Sequence, residues 1–278
     1  MDDWWLRVQR AEKHMVDIKQ EAMRYASGNP YSFTRIRLPD SQNQIKGRFR
    51  ITEQPDPMIA VMFGDFLHNL RSALDYVIVA CVPKQRRAKA SFPILFQNIF
   101  AKDKNGEFVV KDAQLRENFE TATKGLHLKA RELVIKLQPY HRGVDAHRQI
   151  LGIISRLENA NKHRQLITIG CAGRDFDATL TVRGFPKPIK LGRPLARGEM
   201  FLKDNTVILY TLPSDVIPFV QPSDVEVHFT GTAKILVKVT RIEGNQPNDD
   251  YLLDDIMDMA LFNVREIITK LEFFVRRT

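Results

Sequence analysis

The sequence predicts an α+β protein, a helical bundle made from both ends of the chain with an antiparallel β-sheet module inserted between its last two helices. Three observations carry this. Apolar residues recur at helical spacings through much of residues 4–163, the period switches to two from Leu166, and one long helical stripe returns over Tyr251 to Val275. The expected domains are residues 1–165 with 247–278 for the bundle, including a small N-terminal hairpin, and residues 166–246 for the β module.

The first helix is read from Leu6, Val8, Met15, Ile18, Ala22 and Tyr25, and Ser27-Gly28-Asn29-Pro30 ends it. Phe33 to Leu38 and Ile45 to Thr52 alternate apolar or β-branched residues with Arg and Lys around Asp40-Ser41-Gln42-Asn43, the pattern of a hairpin or two short strands. Asp56-Pro57 suits a helix start, and Pro83 stops that helix after Val82. Lys84 to Lys89 is a basic connector, and Ser91 to Phe96 a short apolar strand or buried turn. Helical patterns follow over Lys111 to Ala122, Leu126 to Leu137 and Asp145 to about His163. Strands are then expected at Leu166 to Cys171, Ala178 to Arg183, Pro188 to Leu191, Glu199 to Lys203, Thr206 to Leu212 and Val225 to Val239. The last helix carries Leu252, Ile256, Met259, Ala260, Asn263, Ile267, Leu271 and Phe274 along one stripe, so it is expected to pack on the earlier helices.

A hydrophobic content of 44% with 27% charged residues is that of a folded globular chain rather than a disordered one. Apolar runs such as Ile78 to Val82 fall far short of the roughly 20 residues that cross a bilayer, and Met1-Asp2-Asp3-Trp4-Trp5 lacks a basic start, so a cytoplasmic protein is expected. Cys81 and Cys171 are far apart and fit neither a disulfide framework nor a zinc site; buried thiols are expected. Trp4 and Trp5 are expected in the core rather than at an oligomer contact. The net charge of +9 favours an anionic partner, RNA or another phosphate-bearing ligand, because excess Lys and Arg attract phosphate. No Walker, Gly-x-Ser-x-Gly or His-Glu-x-x-His pattern occurs, which disfavours common nucleotide hydrolases and serine hydrolases, and no cofactor is expected.

Two helices place polar groups where function could reside. On one, Phe63, Phe66, Leu67, Leu70, Ala73, Leu74 and Val77 share an apolar face, with Asp65, His68, Arg71, Ser72 and Asp75 opposite. A solvated face is the plain interpretation. Val61 and Val79, however, bracket the polar stripe and suggest an enclosed island, and buried charges must be paired. On the other, Ile150, Ile153, Ile154 and Leu157 lead into Asn161 and Arg164, while Gly152, Arg156, Asn159 and His163 align on another face. Both stripes require the helix to reach His163 rather than end at Asn159.

The segments Gly64-Asp65-Phe66-Leu67-His68-Asn69-Leu70-Arg71-Ser72-Ala73-Leu74-Asp75, Phe92-Pro93-Ile94, Gln138-Pro139-Tyr140-His141-Arg142-Gly143 and Asn159-Ala160-Asn161-Lys162-His163-Arg164 occur in this order. Together they resemble a family of uncharacterised bacterial proteins, frequent in actinobacteria, over roughly residues 5–170. The resemblance implies that His68, Asn69, Arg71, Asp75, Lys162, His163 and Arg164 are motif positions. The chain departs from that pattern at Asn161, where the family has Asp, and at Tyr76, where it has His. A looser similarity is to HEPN-type helical ribonucleases, whose signature is Arg, four to six residues, then His; Arg156 and His163 have six residues between them, although Leu157 replaces the polar residue usual after the Arg.

Three functions are therefore open. The HEPN similarity implies metal-independent RNA cleavage in a homodimer, with His163 for proton transfer and Arg156, Lys162 or Arg164 stabilising charge on phosphorus. A second enzyme would use His68, Asp75, His163 and His141 at a metal or acid–base site on a small anionic substrate, although the surrounding Arg71, Lys162 and Arg164 favour an anion over a metal cation. In the third, non-catalytic reading, a polar network fixes helix register and the β module binds a partner. Candidate catalytic residues are His163, Arg156, His68, Arg71 and Asp75; candidate binding residues are Asn69, Asn159, Asn161, Lys162 and Arg164; no metal ligand is assigned.

Overall fold

A computed structural model describes residues 2–36, 44–107, 109–110, 112–162, 169–182, 187–192, 204, 207–211, 225–239 and 249–275. The architecture is α+β, in two compact units: Met1–Lys19, Met58–Thr168 and Lys238–Thr278 form the first, Gln20–Pro57 and Ile169–Val237 the second.

The first unit is the helical bundle. It contains most of α1 (Asp3–Ser27), then α2 (Met58–Ala80), α3 (Ala113–Thr123), α4 (Leu128–Lys136), α5 (Ile150–Lys162) and α6 (Leu253–Val275). Helix α2 is central and packs against α5 and α6. Its predicted apolar face, Phe63 to Val77, is fully buried, and on α6 the buried stripe runs through Ile256, Ala260, Val264, Ile267 and Leu271. Met259, expected on that stripe, is exposed because the stripe follows the intervening positions. On α1 the buried face is Trp4, Val8, Ala11, His14 and Ile18, so Leu6 turns outward and a histidine occupies a core position. Both indole N–H groups, Trp4 Nε1 at 3.0 Å and Trp5 Nε1 at 2.6 Å, donate to Glu272 Oε1, tying the start of α1 to the end of α6. Cys81 is buried with its Sγ 3.6 Å from the Leu271 carbonyl oxygen, and burial pushes its pKa up to about 12, leaving an unreactive thiol.

The expected single helix from Asp145 to His163 is two elements. A 3₁₀ segment, Pro139–Arg148, is interrupted at Gly143, whose φ of 56° a side chain would resist. Gln149 is extended, and its Oε1 accepts the N–H of Leu151 at 2.7 Å, capping the start of α5. Helix α5 passes Asn159 and reaches Lys162; residues 163–168 lie outside the described residues.

The second unit holds the strands β1 (Tyr31–Ile36), β2 (Gln44–Ile51), β3 (Ile169–Val182), β4 (Ile189–Gly192), β5 (Val207–Thr211) and most of β6 (Val225–Val239). Strands β1 and β2 are antiparallel, Tyr31 opposite Ile51, and β2 pairs on its other side with β5, Gln44 opposite Thr211. The hairpin therefore belongs to the β unit, a correction to its expected place in the bundle: two strands alone are marginal, and the third strand satisfies the open edge of β2. In the other sheet β3 lies between β4 and β6. The two strands expected at Leu166 to Cys171 and Ala178 to Arg183 are one long strand, with an irregularity between Arg174 and Asp177. The strand expected at Glu199 to Lys203 lies outside the described residues. Buried Phe49 meets the ring of Tyr31 at 5.8 Å, and Tyr25 donates its hydroxyl to the Glu53 carbonyl at 2.6 Å. Burial raises the Tyr25 pKa, and the adjacent Cys171 thiol adds to the effect. A seventh strand, β7 (Asp249–Leu252), leads directly into α6. No helix among the described residues is long and apolar enough to cross a membrane.

Candidate functional site

The site is built around a strap with no regular secondary structure. Residues 91–95 follow the basic connector as irregular backbone, yet Phe92 and Leu95 are buried. Buried backbone without a helix or strand must find other partners. Side chains supply them here. Asp75 Oδ1 on α2 accepts the Phe92 N–H at 2.8 Å, and Gln138 Oε1 accepts the Leu95 N–H at 2.8 Å. The Gln138 amide also donates to the Pro93 carbonyl at 3.0 Å and the Val134 carbonyl at 2.8 Å. The Ser91 N–H reaches the Ala122 carbonyl, and the Tyr140 N–H the Leu95 carbonyl, each at 3.2 Å. Three of the ordered sequence segments thus converge: Asp75 from the first and Gln138 from the third hold Phe92-Pro93-Ile94 in place.

The strap forms one wall of a cleft of about 260 Å³. Leu115, Asn118, Phe119 and Ala122 of α3 form another, and Arg71 of α2 with Ser155, Glu158 and Asn159 of α5 complete it. Two charges of opposite sign therefore line one small, partly apolar space. The Arg71 side chain is only 18% exposed, and its Nη2 donates to Asp75 Oδ1 at 3.0 Å. Its Nη1 is buried and has no hydrogen-bond partner among the described residues. Asp75 thus has two duties: it anchors the strap and fixes one edge of the guanidinium, leaving the other edge oriented in advance.

Glu158 is the second charge. Its side chain is 3% exposed, and its Oε1 lies 3.5 Å from Nδ1 of His68 on α2. The other ring nitrogen of His68 lies 3.5 Å from Ser72 Oγ. A carboxylate at one imidazole nitrogen can select the tautomer of the ring and orient it. The His68 side chain is 54% exposed and Val61 43%, so the valine does not close the polar stripe as expected. The stripe opens toward solvent at His68 and is enclosed only from Arg71 onward.

The remaining candidates fall elsewhere. Arg156 is buried and donates Nη2 to the His147 carbonyl at 2.6 Å, on a face of α5 that seats the 3₁₀ segment. Gly152 belongs to that face: a Cβ there would meet the Ala146 carbonyl oxygen at 2.6 Å and the Phe96 ring at 3.0 Å. The expected Gly152–Arg156 stripe is thus a packing surface, because close backbone approach requires glycine and the buried carbonyl requires a donor. Asn69 is buried and donates to the Asp65 carbonyl at 2.8 Å within its own helix, apart from the cleft lining. Asn159 is exposed at the cleft. Asn161 and Lys162 lie in α5, but their side chains, and all of His163 and Arg164, lie outside the described residues. His141 is exposed, with Nε2 2.9 Å from the Ile135 carbonyl oxygen. Among the described residues no three His, Cys, Asp or Glu groups converge to hold a metal ion.

Glu158 is the residue that sequence reasoning missed. It is the sole acidic residue of α5 and follows Leu151 and Ser155 at i+7 and i+3, a stripe that turns from apolar to polar as it nears the cleft. Comparison with known proteins finds no matching family model, no matching curated protein and no matching solved structure.

Proposed function

We propose that the cleft is a receptor for a small molecule bearing an anionic group, which Arg71 holds beside the His68–Glu158 contact. The observation that carries this reading is the state of the guanidinium of Arg71, a residue of the cleft lining: Nη2 is fixed by Asp75, while Nη1 is buried without a hydrogen-bond partner among the described residues. A buried unsatisfied N–H costs about 1–3 kcal/mol, which a bound oxyanion would recover through a charge-assisted hydrogen bond. The motif likeness to bacterial proteins is consistent with this reading, since Arg71, Asp75, the strap and Gln138 all come from the segments that carry it. Titration of the protein with acetate and with inorganic phosphate, followed by thermal denaturation, tests the proposal. A saturable rise in melting temperature that disappears in Arg71→Met is expected; an unchanged response in that variant overturns it.

The competing ribonuclease reading is favoured by the net charge of +9. Its Arg156 is committed to the His147 carbonyl, and its His163 lies outside the described residues. Cleavage of labelled single-stranded RNA in EDTA, lost in His163→Ala, would support it over the small-molecule receptor.

A further inference from the structure

We propose that one end of the helical bundle is a docking surface for an anionic lipid bilayer, which it meets with a cluster of Lys and Arg around an outward-facing leucine. Three segments of the first unit come together there. The connector Lys84–Lys89 is a short 3₁₀ helix in which Lys84, Arg86, Arg87 and Lys89 are all exposed. The turn between α3 and α4 packs against it: Gly125 has a φ of 95°, and a Cβ there would meet Pro83 Cδ at 3.1 Å and Arg86 Cγ at 3.4 Å. That turn adds exposed Lys124 and Lys129. It also reaches the end of α6, where the His127 ring stacks on Phe274 with centroids 5.8 Å apart. None of these Lys and Arg side chains makes an ion pair among the described residues.

The acidic groups at this end do not cancel that charge. Glu132 stands one turn further into α4. Glu272 accepts the indole N–H groups of Trp4 and Trp5, and two positions along α6 is about 200° around the helix. Helix α1, with Asp2 and Asp3 at its start, therefore joins α6 on the flank opposite Phe274 and the turn. Charge alone would suit a nucleic acid as well as a membrane, and the apolar groups decide between them. Leu128, the first residue of α4, is 68% exposed. Its neighbour His127 accepts the Lys129 N–H on Nδ1 at 3.3 Å, capping the helix while its ring rests on Phe274, so the backbone that presents Leu128 to solvent is held in place. Phe273 is exposed beside it, edge-on to Phe274 at 5.4 Å. A nucleic-acid strand takes cations for its phosphates and flat rings for its bases, and an aliphatic side chain serves neither. An anionic bilayer uses both kinds of group, Lys and Arg among the headgroups and leucine or phenylalanine at the acyl boundary below them. None of these residues lines the cleft, so this surface and the receptor reading stand or fall separately.

The test is sedimentation of the full chain with vesicles of phosphatidylcholine alone, or of equal parts phosphatidylcholine and phosphatidylglycerol. Binding to the anionic vesicles should be tighter by about tenfold or more, and the preference should vanish in concentrated salt. Neutralising three exposed lysines together, Lys84→Gln, Lys89→Gln and Lys124→Gln, should weaken it on the order of a hundredfold. Leu128→Ser should weaken it about tenfold while leaving the affinity for a labelled single-stranded RNA oligonucleotide unchanged. The altered side chains are all exposed, and circular dichroism checks that both variants keep the fold. Equal binding to the two kinds of vesicle, or none to either, overturns the proposal on the unaltered protein alone. Anionic-vesicle binding that ignores the lysine changes or Leu128→Ser overturns it too, since the contact would then lie elsewhere or involve no insertion. If the RNA oligonucleotide binds more tightly than the anionic vesicles and the lysine variant loses it, the surface belongs to a nucleic acid and the membrane assignment is refuted.

Discussion

Helix α2 has two working faces that are held by different physics. One, Phe63 to Val77, is dry and packs by burial, a force that asks only for apolar atoms at roughly the right volume. The other meets the strap, and there the geometry is set by hydrogen bonds from Asp75, with Gln138 completing the clasp from outside the helix. Burial is non-directional and tolerant. A hydrogen-bonded clasp is directional and fails as a unit, because removing one member leaves buried N–H and C=O groups without partners. The cleft is on the directional side, where the strap that walls it is held by hydrogen bonds.

This contrast can be broken most sharply by a pair of volume-conserving substitutions. Gln138→Met keeps the bulk but strands the Leu95 N–H and two carbonyls, and is expected to cost about 3 kcal/mol. Leu70→Met on the dry face is expected to cost under about 1.5 kcal/mol. Urea denaturation of both variants measures the difference, and equal costs would mean that the strap is held by packing after all. Gly152→Ala probes the other side of α5, where the obstructing atom is a backbone oxygen that can yield only if the 3₁₀ segment moves; a loss of about 2 kcal/mol is expected in the same assay.

Asp75→Asn sharpens the comparison within one side chain. The amide oxygen can still accept from Phe92, whereas the charge that fixes Arg71 is gone. A stability loss of about 1 kcal/mol should accompany a larger proportional loss of anion binding. The smallest expected effect concerns His14, which burial holds below its ordinary pKa of 6.5; the adjacent Arg10 adds to the lowering, and Asp65 and Asp17 oppose it. Because the unfolded chain takes up the proton more readily, stability is full at neutral pH and falls as pH drops below 6.5 toward the lowered folded value. His14→Gln should flatten that part of the stability–pH curve, and an unchanged slope would assign it to other groups.

The dry face was legible in the sequence because its signal is periodic: seven apolar residues at helical spacing name both the element and the buried side. The inserted β module was legible for the same reason. The clasp was not, because Asp75 meets a backbone N–H 17 residues away and Gln138 one 43 residues away, and neither pairing leaves a local pattern. Ordered motifs marked those residues without revealing what they do. Glu158 and His14 were hidden by a different ambiguity. A polar side chain on a helix ordinarily belongs to the solvated face, and only the packing of neighbouring helices shows that these two do not.

Asp75 also makes the site self-reporting. The same oxygen that receives the Arg71 guanidinium receives the amide hydrogen of Phe92, so whatever draws the guanidinium toward a guest alters the electron density available to that amide. On the receptor reading proposed above, the exchange rate of one backbone hydrogen would therefore be a built-in gauge of occupancy, readable without a label whatever the guest.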